Sequence, residues 1–140
     1  MPLLVGIFLA VAVGLMATWV GFDRERSFYP VVLIVIAYNY FLFAFTDGRA
    51  EIFIAELVPF AIFLIVALLG FRKNLWLVVA GLAGHGIFDL VHVHLIADRG
   101  VPVWWPIFCL SYDITAALYL AWRLKRSPVP NVPVRTAQRS

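Results

Sequence analysis

The sequence has little charge and almost no cysteine. Of its 140 residues, 14% are charged and 64% are hydrophobic, whereas soluble domains have about 25% charged and about 45–50% apolar residues. The single cysteine, Cys109, excludes an intramolecular disulfide. A P-loop, a G-x-G-x-x-G fingerprint and a G-x-S-x-G elbow are all missing, so nucleotide chemistry and serine hydrolysis have no support. The composition indicates a membrane protein.

Five apolar segments are each long enough to cross a bilayer as a helix, which takes about 17–25 residues. They are Leu3–Phe22, Phe28–Phe45, Ile52–Phe71, Leu75–Ala97 and Val103–Trp122. The connections between them are short and polar, so successive helices are expected to be antiparallel neighbours. The sequence therefore predicts an all-α fold, a polytopic transmembrane bundle of five helices within residues 1–126. The rest, 127–140, is basic and contains prolines, which predicts a disordered tail.

Basic residues are segregated between the two ends of this bundle. Of the 11 Lys and Arg residues, all but Arg49 and Arg99 fall on one side. Basic loops stay in the cytoplasm, so the amino terminus is expected outside and the carboxyl terminus and its tail in the cytoplasm. This is the pattern of a multi-pass protein of the cell (inner or plasma) membrane. The basic excess serves topology, so nucleic acid is not an expected partner, whereas membrane lipid and a homo-oligomer are compatible with the sequence.

The fourth segment carries the most informative pattern. His85, Asp89 and His92 stand at i, i+4 and i+7 and share one face of a helix. Asp113 on the fifth helix and Glu56 on the third are expected at a similar depth, in the outer half of the membrane. Ionisable groups within a membrane are costly and usually mark a functional site. His94 points away from this face and is expected at the membrane surface.

A metal centre is the leading interpretation of these residues. Imidazole and carboxylate ligands from facing helices suit Zn²⁺ or non-haem iron, and the predicted ligands are His85, Asp89, His92, Asp113 and Glu56. Such a centre could serve a membrane-embedded metalloenzyme acting on a lipid-soluble substrate, with Asp113 or Glu56 as ligand or general base. Whether the protein is an enzyme stays open at this point.

Two other interpretations of the polar residues remain. A proton or cation relay, as in a small transporter subunit, would use the same groups to carry charge across the membrane. A structural or assembly subunit would use them as an interhelical polar network, in which each hydrogen bond contributes only about 1 kcal/mol.

Small and charged residues elsewhere have simpler expected roles. A small-residue stripe on the first helix lets a neighbouring helix approach closely, and it consists of Gly6, Ala10, Gly14 and Thr18 or Ala17. Gly81 and Gly84 are expected to do the same on the fourth helix. Asp47, Glu51 and Asp98 are expected to be solvated loop charges.

The last two segments resemble a known family. The stretch His85-x-x-x-Asp89-x-x-His92 and the later Pro106-Ile107-Phe108-Cys109-Leu110-Ser111-Tyr112-Asp113 are similar to small bacterial multi-pass membrane proteins of a domain-of-unknown-function family (number 6010). The resemblance implies a multi-pass protein with polar positions at His85, Asp89, His92 and Asp113. It implies no activity.

Overall fold

The structure is a computed structural model and describes residues 1–126, which form helices and short connections without a strand. Five long helices lie within this part of the chain, each apolar enough to cross a membrane. They are α1 (Pro2–Val20), α2 (Phe28–Asp47), α3 (Ala50–Arg72), α4 (Trp76–Leu95) and α5 (Trp105–Lys125), with a short 3-10 turn at Phe22–Arg24. The protein is therefore an integral, multi-pass membrane protein, and the predicted all-α five-helix fold is confirmed. The predicted tail, 127–140, lies outside the described residues.

Glycines end the first two helices. Gly21 has φ +96° and its N–H donates to the Ala17 carbonyl, and Gly48 has φ +78° and donates to the Ala44 carbonyl. Glycine adopts this left-handed conformation without the steric cost that other residues meet. Because α2 ends at Asp47, with Gly48 as its cap, the Asp47 side chain reaches both the α2–α3 and the α4–α5 connection.

The helices pack in an order that differs from their order in the chain. α2 packs on α3, α3 on α4, and α4 on α5, as expected for successive helices, and α2 also contacts α4. α1 packs on α5 instead of packing along α2, so the expectation that all successive helices are neighbours is wrong for this pair. α4 therefore lies at the centre, with α2, α3 and α5 around it.

The small-residue stripe of α1 explains its position. Gly6, Ala10, Gly14 and Ala17 are its buried residues, so the predicted packing face is confirmed. A Cβ atom at Gly6 would overlap the Ser111 side chain and the Phe108 carbonyl of α5. Only a residue without a side chain permits this approach of the two backbones.

An apolar layer fills the bundle below the polar residues of α4, towards the predicted cytoplasmic end. Its fully buried members include Leu33 of α2, Val78 and Leu82 of α4, and Leu120 of α5. A second polar cluster lies beyond this layer and was not predicted from the sequence. There Arg123 Nε is 2.8 Å from Asp23 Oδ2. The layer thus separates two buried polar regions.

The second cluster joins α1 to α5. Thr18 donates a hydrogen bond of 2.6 Å to Asp23, and its hydroxyl is 2.8 Å from that of Tyr119. Asp23 is fully buried, although it lies in a short polar connection. An aspartate beside a helix end can be exposed to solvent or can form a buried ion pair. Only its tertiary contacts distinguish the two cases.

The two connections at the predicted outer end are also joined. Asp47 accepts hydrogen bonds from the Arg49 guanidinium at 2.6 and 2.8 Å and from the Arg99 backbone N–H at 2.7 Å. Arg49 in turn donates to the Ala97 carbonyl at 2.7 Å. The Asp47 side chain is fully buried, so the expectation of a solvated loop charge is wrong there. Its carboxylate satisfies donors of both connections.

The orientation of the bundle can be tested with single cysteines. The positive-inside rule places Arg99 outside and Lys73 in the cytoplasm, and both are exposed. A membrane-impermeant maleimide added to intact cells should label Arg99→Cys, and should label Lys73→Cys only after permeabilisation. The unsubstituted protein is the control, since its Cys109 is buried. The opposite pattern would invert the predicted orientation.

Candidate metal centre

One face of α4 carries three buried ionisable side chains. His85, Asp89 and His92 are each no more than 1% exposed, whereas His94 is exposed. This is the arrangement that the helical spacing predicts. Because α4 is surrounded by α2, α3 and α5, this face meets protein and not lipid.

Asp113 of α5 completes a cluster with two residues of α4. His85 Nδ1 is 2.8 Å from Asp113 Oδ2 and 3.4 Å from Asp89 Oδ2. Each of the three residues can offer one ligand atom, and these atoms lie within 4.8 Å of one another. All three side chains are buried. This group of His85, Asp89 and Asp113, the His–Asp–Asp cluster, can hold a metal ion.

The donor set of the cluster fits a metal ion. It offers one imidazole nitrogen and carboxylate oxygens, which suit Zn²⁺ and iron. Asp113 Oδ1 is buried and has no hydrogen-bond partner among the described residues. A buried carboxylate oxygen without a donor is costly in a dry interior, and a cation at the cluster would remove that cost.

Glu56 and His92 form a separate pair next to this cluster. Glu56 Oε1 of α3 lies 2.6 Å from His92 Nε2. Neither residue belongs to the group of ligand atoms that includes His85. The structure thus divides the five predicted ligands into a cluster of three and a pair of two. Glu56 Oε2 and His92 Nδ1 have no hydrogen-bond partner within residues 1–126.

Tyr40 of α2 connects the cluster and the pair. Its hydroxyl donates to Asp89 Oδ1 at 2.5 Å, and its ring stacks on the His92 ring with centroids 4.0 Å apart. Sequence reasoning did not separate Tyr40 from Tyr38, which is half exposed. The available signal was the spacing of Tyr40 from Leu33 and Ala37, which places all three on the buried face of α2.

A glycine allows α4 and α5 to approach at the cluster. A Cβ atom at Gly86 would lie 3.1 Å from Asp113 Cβ and 3.3 Å from the Leu110 carbonyl oxygen. A Cβ atom at Gly81 would overlap Leu33 and Val66, as its predicted packing role requires. A Cβ atom at Gly84 would have open space around it. The expectation for Gly84 is wrong because it lies on the exposed side of α4, and the helix contact falls on Gly86 instead.

Comparison of this chain with models of protein families, with curated proteins and with solved structures finds no match. The resemblance to the domain-of-unknown-function family (number 6010) therefore stays a prediction.

Gly86 and Gly84 provide a matched pair of substitutions. Both Gly→Ala changes have the same effect on intrinsic helix propensity, but only Gly86→Ala adds an atom between α4 and α5. Overpacking costs about 1–3 kcal/mol, so Gly86→Ala should unfold several degrees below Gly84→Ala in a thermal melt in detergent. Equal melting temperatures would show that the two helices do not need this close approach.

Proposed function

We propose that the His–Asp–Asp cluster binds a divalent metal ion, Zn²⁺ or iron, and that the protein is a membrane-embedded metalloenzyme acting on a lipid-soluble substrate. The observation that carries the proposal is the convergence of three buried ligand atoms from α4 and α5 within 4.8 Å. Metal sites in helix bundles draw their ligands from facing helices in this way.

The charge of the buried groups supports a cation. Two ionised aspartates and a protonated His85 leave one negative charge in the interior, whereas a divalent ion with neutral His85 brings the cluster to zero. Glu56 and His92 can neutralise each other as an ion pair, so they supply no compensating charge. A protonated aspartate would also restore neutrality, and a metal measurement distinguishes these two states.

The proposed role of each residue follows from its position in or beside the cluster. When bound, a Lewis-acidic metal polarises a substrate oxygen or lowers the pKa of a coordinated water. The 2.8 Å contact between His85 and Asp113 holds these two ligands close together, and Tyr40 orients Asp89 through its hydroxyl. Partners of this kind fix the direction of metal ligands and commonly change metal affinity by about 10–100-fold. The Glu56–His92 pair can accept and return a proton beside the cluster.

Elemental analysis of purified protein tests metal binding. Wild type should carry close to one equivalent of zinc or iron. His85→Ala and Asp113→Asn should lose most of it, because the first removes the imidazole and the second replaces a charged carboxylate with a neutral amide, which is a weaker ligand. His94→Ala is the matched control, since His94 is exposed on the same helix. His92→Gln should keep the metal, because His92 lies outside the cluster.

Two results would count against a metal centre. The first is wild-type protein that has no stoichiometric metal and takes up neither Zn²⁺ nor Fe²⁺ after chelation. The second is equal metal content in His85→Ala and His94→Ala. A structural network, by contrast, predicts that substitutions in the cluster lower folded yield without any bound metal to lose.

A relay of protons is the second candidate function. The contacts from Tyr40 through Asp89 and His85 to Asp113 form a connected polar chain, which favours proton movement within the cluster. Towards the predicted cytoplasmic end, this polar chain stops at the apolar layer that includes Leu82 and Leu120.

We therefore expect no proton or cation flux when the purified protein is reconstituted in liposomes under an imposed gradient. A proton ionophore added at the end should collapse the same gradient and is the positive control. Flux that Asp113→Asn abolishes and His94→Ala leaves intact would replace the metalloenzyme proposal with a relay.

A further inference from the structure

A large cavity lies between α1, α2 and α5. Its volume is about 780 Å³, within the range of about 300–1,000 Å³ usual for ligand pockets. The cavity exists because α1 packs on α5 and α2 packs on α3, which leaves a gap between the first two helices. Most of its lining is apolar, with Val5 and Leu9 of α1, Val35 and Ile36 of α2, and Phe108 of α5 among the lining residues.

Two polar residues mark where this cavity meets the candidate metal centre. Asn39 of α2 and Asp113 of α5 both line it. Asp113 is fully buried, and its Oδ1 atom has no hydrogen-bond partner among residues 1–126. The Oδ2 atom of the same carboxylate contacts His85. One carboxylate therefore belongs both to the His–Asp–Asp cluster and to the cavity wall.

The cavity opens sideways out of the bundle. Val5, Leu9, Val31 and Val35 line it and are each about half exposed. In an integral membrane protein such residues face the hydrocarbon of the bilayer. A molecule dissolved in the membrane can thus enter between α1 and α2 without crossing water.

We propose that this cavity binds a neutral lipid that carries a hydroxyl group, with the hydrocarbon chain between α1 and α2 and the hydroxyl at Asn39 and Asp113. This inference deepens the proposed function by naming its substrate class, and it rests on that function for any reaction at the metal. Binding itself requires only the cavity and its polar end.

The lining decides which head group fits. The Asn39 amide can both donate and accept hydrogen bonds, and the Asp113 carboxylate accepts them whether or not a cation is bound at the cluster. A hydroxyl offers a donor and an acceptor, so it satisfies both residues. A phosphate or carboxylate head would bring negative charge next to Asp113, and no Lys or Arg of the described chain lines the cavity to compensate it. A pure hydrocarbon would leave the Asn39 amide without a hydrogen-bond partner in the cavity.

Photolabelling tests this assignment. The probes are hexadecanol, palmitic acid and hexadecane, each with a diazirine in the chain, incorporated into liposomes with purified full-length protein. Hexadecanol should label α1, α2 or α5 residues of the cavity about tenfold more than either of the other two. A phenol that carries the same diazirine chain is a further probe, and it shows whether the cavity prefers an aliphatic or an aromatic hydroxyl group.

Two variants locate the label. Asn39→Leu should reduce the preference for hexadecanol about tenfold, since it removes one partner of the hydroxyl. Val35→Trp should reduce cavity labelling by all probes because it narrows the opening. Val58→Trp is the matched control, since Val58 is exposed on α3 and does not line this cavity. Thermal melts establish that each variant is folded.

The outcomes separate the two proposals. Equal labelling by hexadecanol and hexadecane would mean that bulk lipid merely fills the gap, and it would overturn the inference while leaving the metal measurement intact. Preferential labelling by hexadecanol in a protein that binds no metal would support the cavity assignment and refute the metalloenzyme. A stable dimer that forms in wild type and Val58→Trp but not in Val35→Trp would identify a second copy as the occupant and overturn the inference.

Discussion

Burial of carboxylates within a hydrocarbon layer is the constraint on which this structure depends. Asp89, Asp113 and Glu56 are fully buried, and an isolated carboxylate in such a place is strongly disfavoured. Each one contacts an imidazole from another position or helix: His85 for the two aspartates, and His92 for Glu56. These contacts join α3, α4 and α5, so the polar groups that cost the fold most also determine how its central helices meet.

Small residues determine both the cluster and the cavity. Gly86 permits the approach of α5 that brings Asp113 to His85. Gly6 and Gly14 let α1 pack on the opposite side of α5, against Ser111 and Tyr119. Since α1 is held there, it cannot also cover α2, and the gap between them extends to Asp113. Without the α1–α5 contact the lateral cavity would have no second wall.

The fold and part of the site could be predicted from the sequence for different reasons. The spans follow from length and hydropathy, and the face of His85, Asp89 and His92 stands out because few polar residues interrupt an apolar helix. The cavity could not be predicted, because the lipid-facing and protein-facing sides of these helices are both apolar. The spacing of Tyr40 places it on the buried face of α2 but does not identify Asp89 as the partner of its hydroxyl. The pairing of Glu56 with His92, and of Asp23 with Arg123, depends on helix rotation and depth, which short loops do not determine.

The apolar layer bears on the choice between transport across the membrane and chemistry within it. Leu33, Leu82 and Leu120 are fully buried between the His–Asp–Asp cluster and the predicted cytoplasmic end, and they offer no group that can pass a proton. Beyond the layer, Asp23 contacts Arg123 and accepts a hydrogen bond from Thr18. Tyr29, Tyr112 and Tyr119 also lie in or against this layer, but within residues 1–126 no hydrogen bond joins their hydroxyls to the cluster, so no continuous hydrogen-bonded route crosses it. The cavity between α1 and α2 does reach Asp113, which favours reactants that enter and leave in the plane of the membrane.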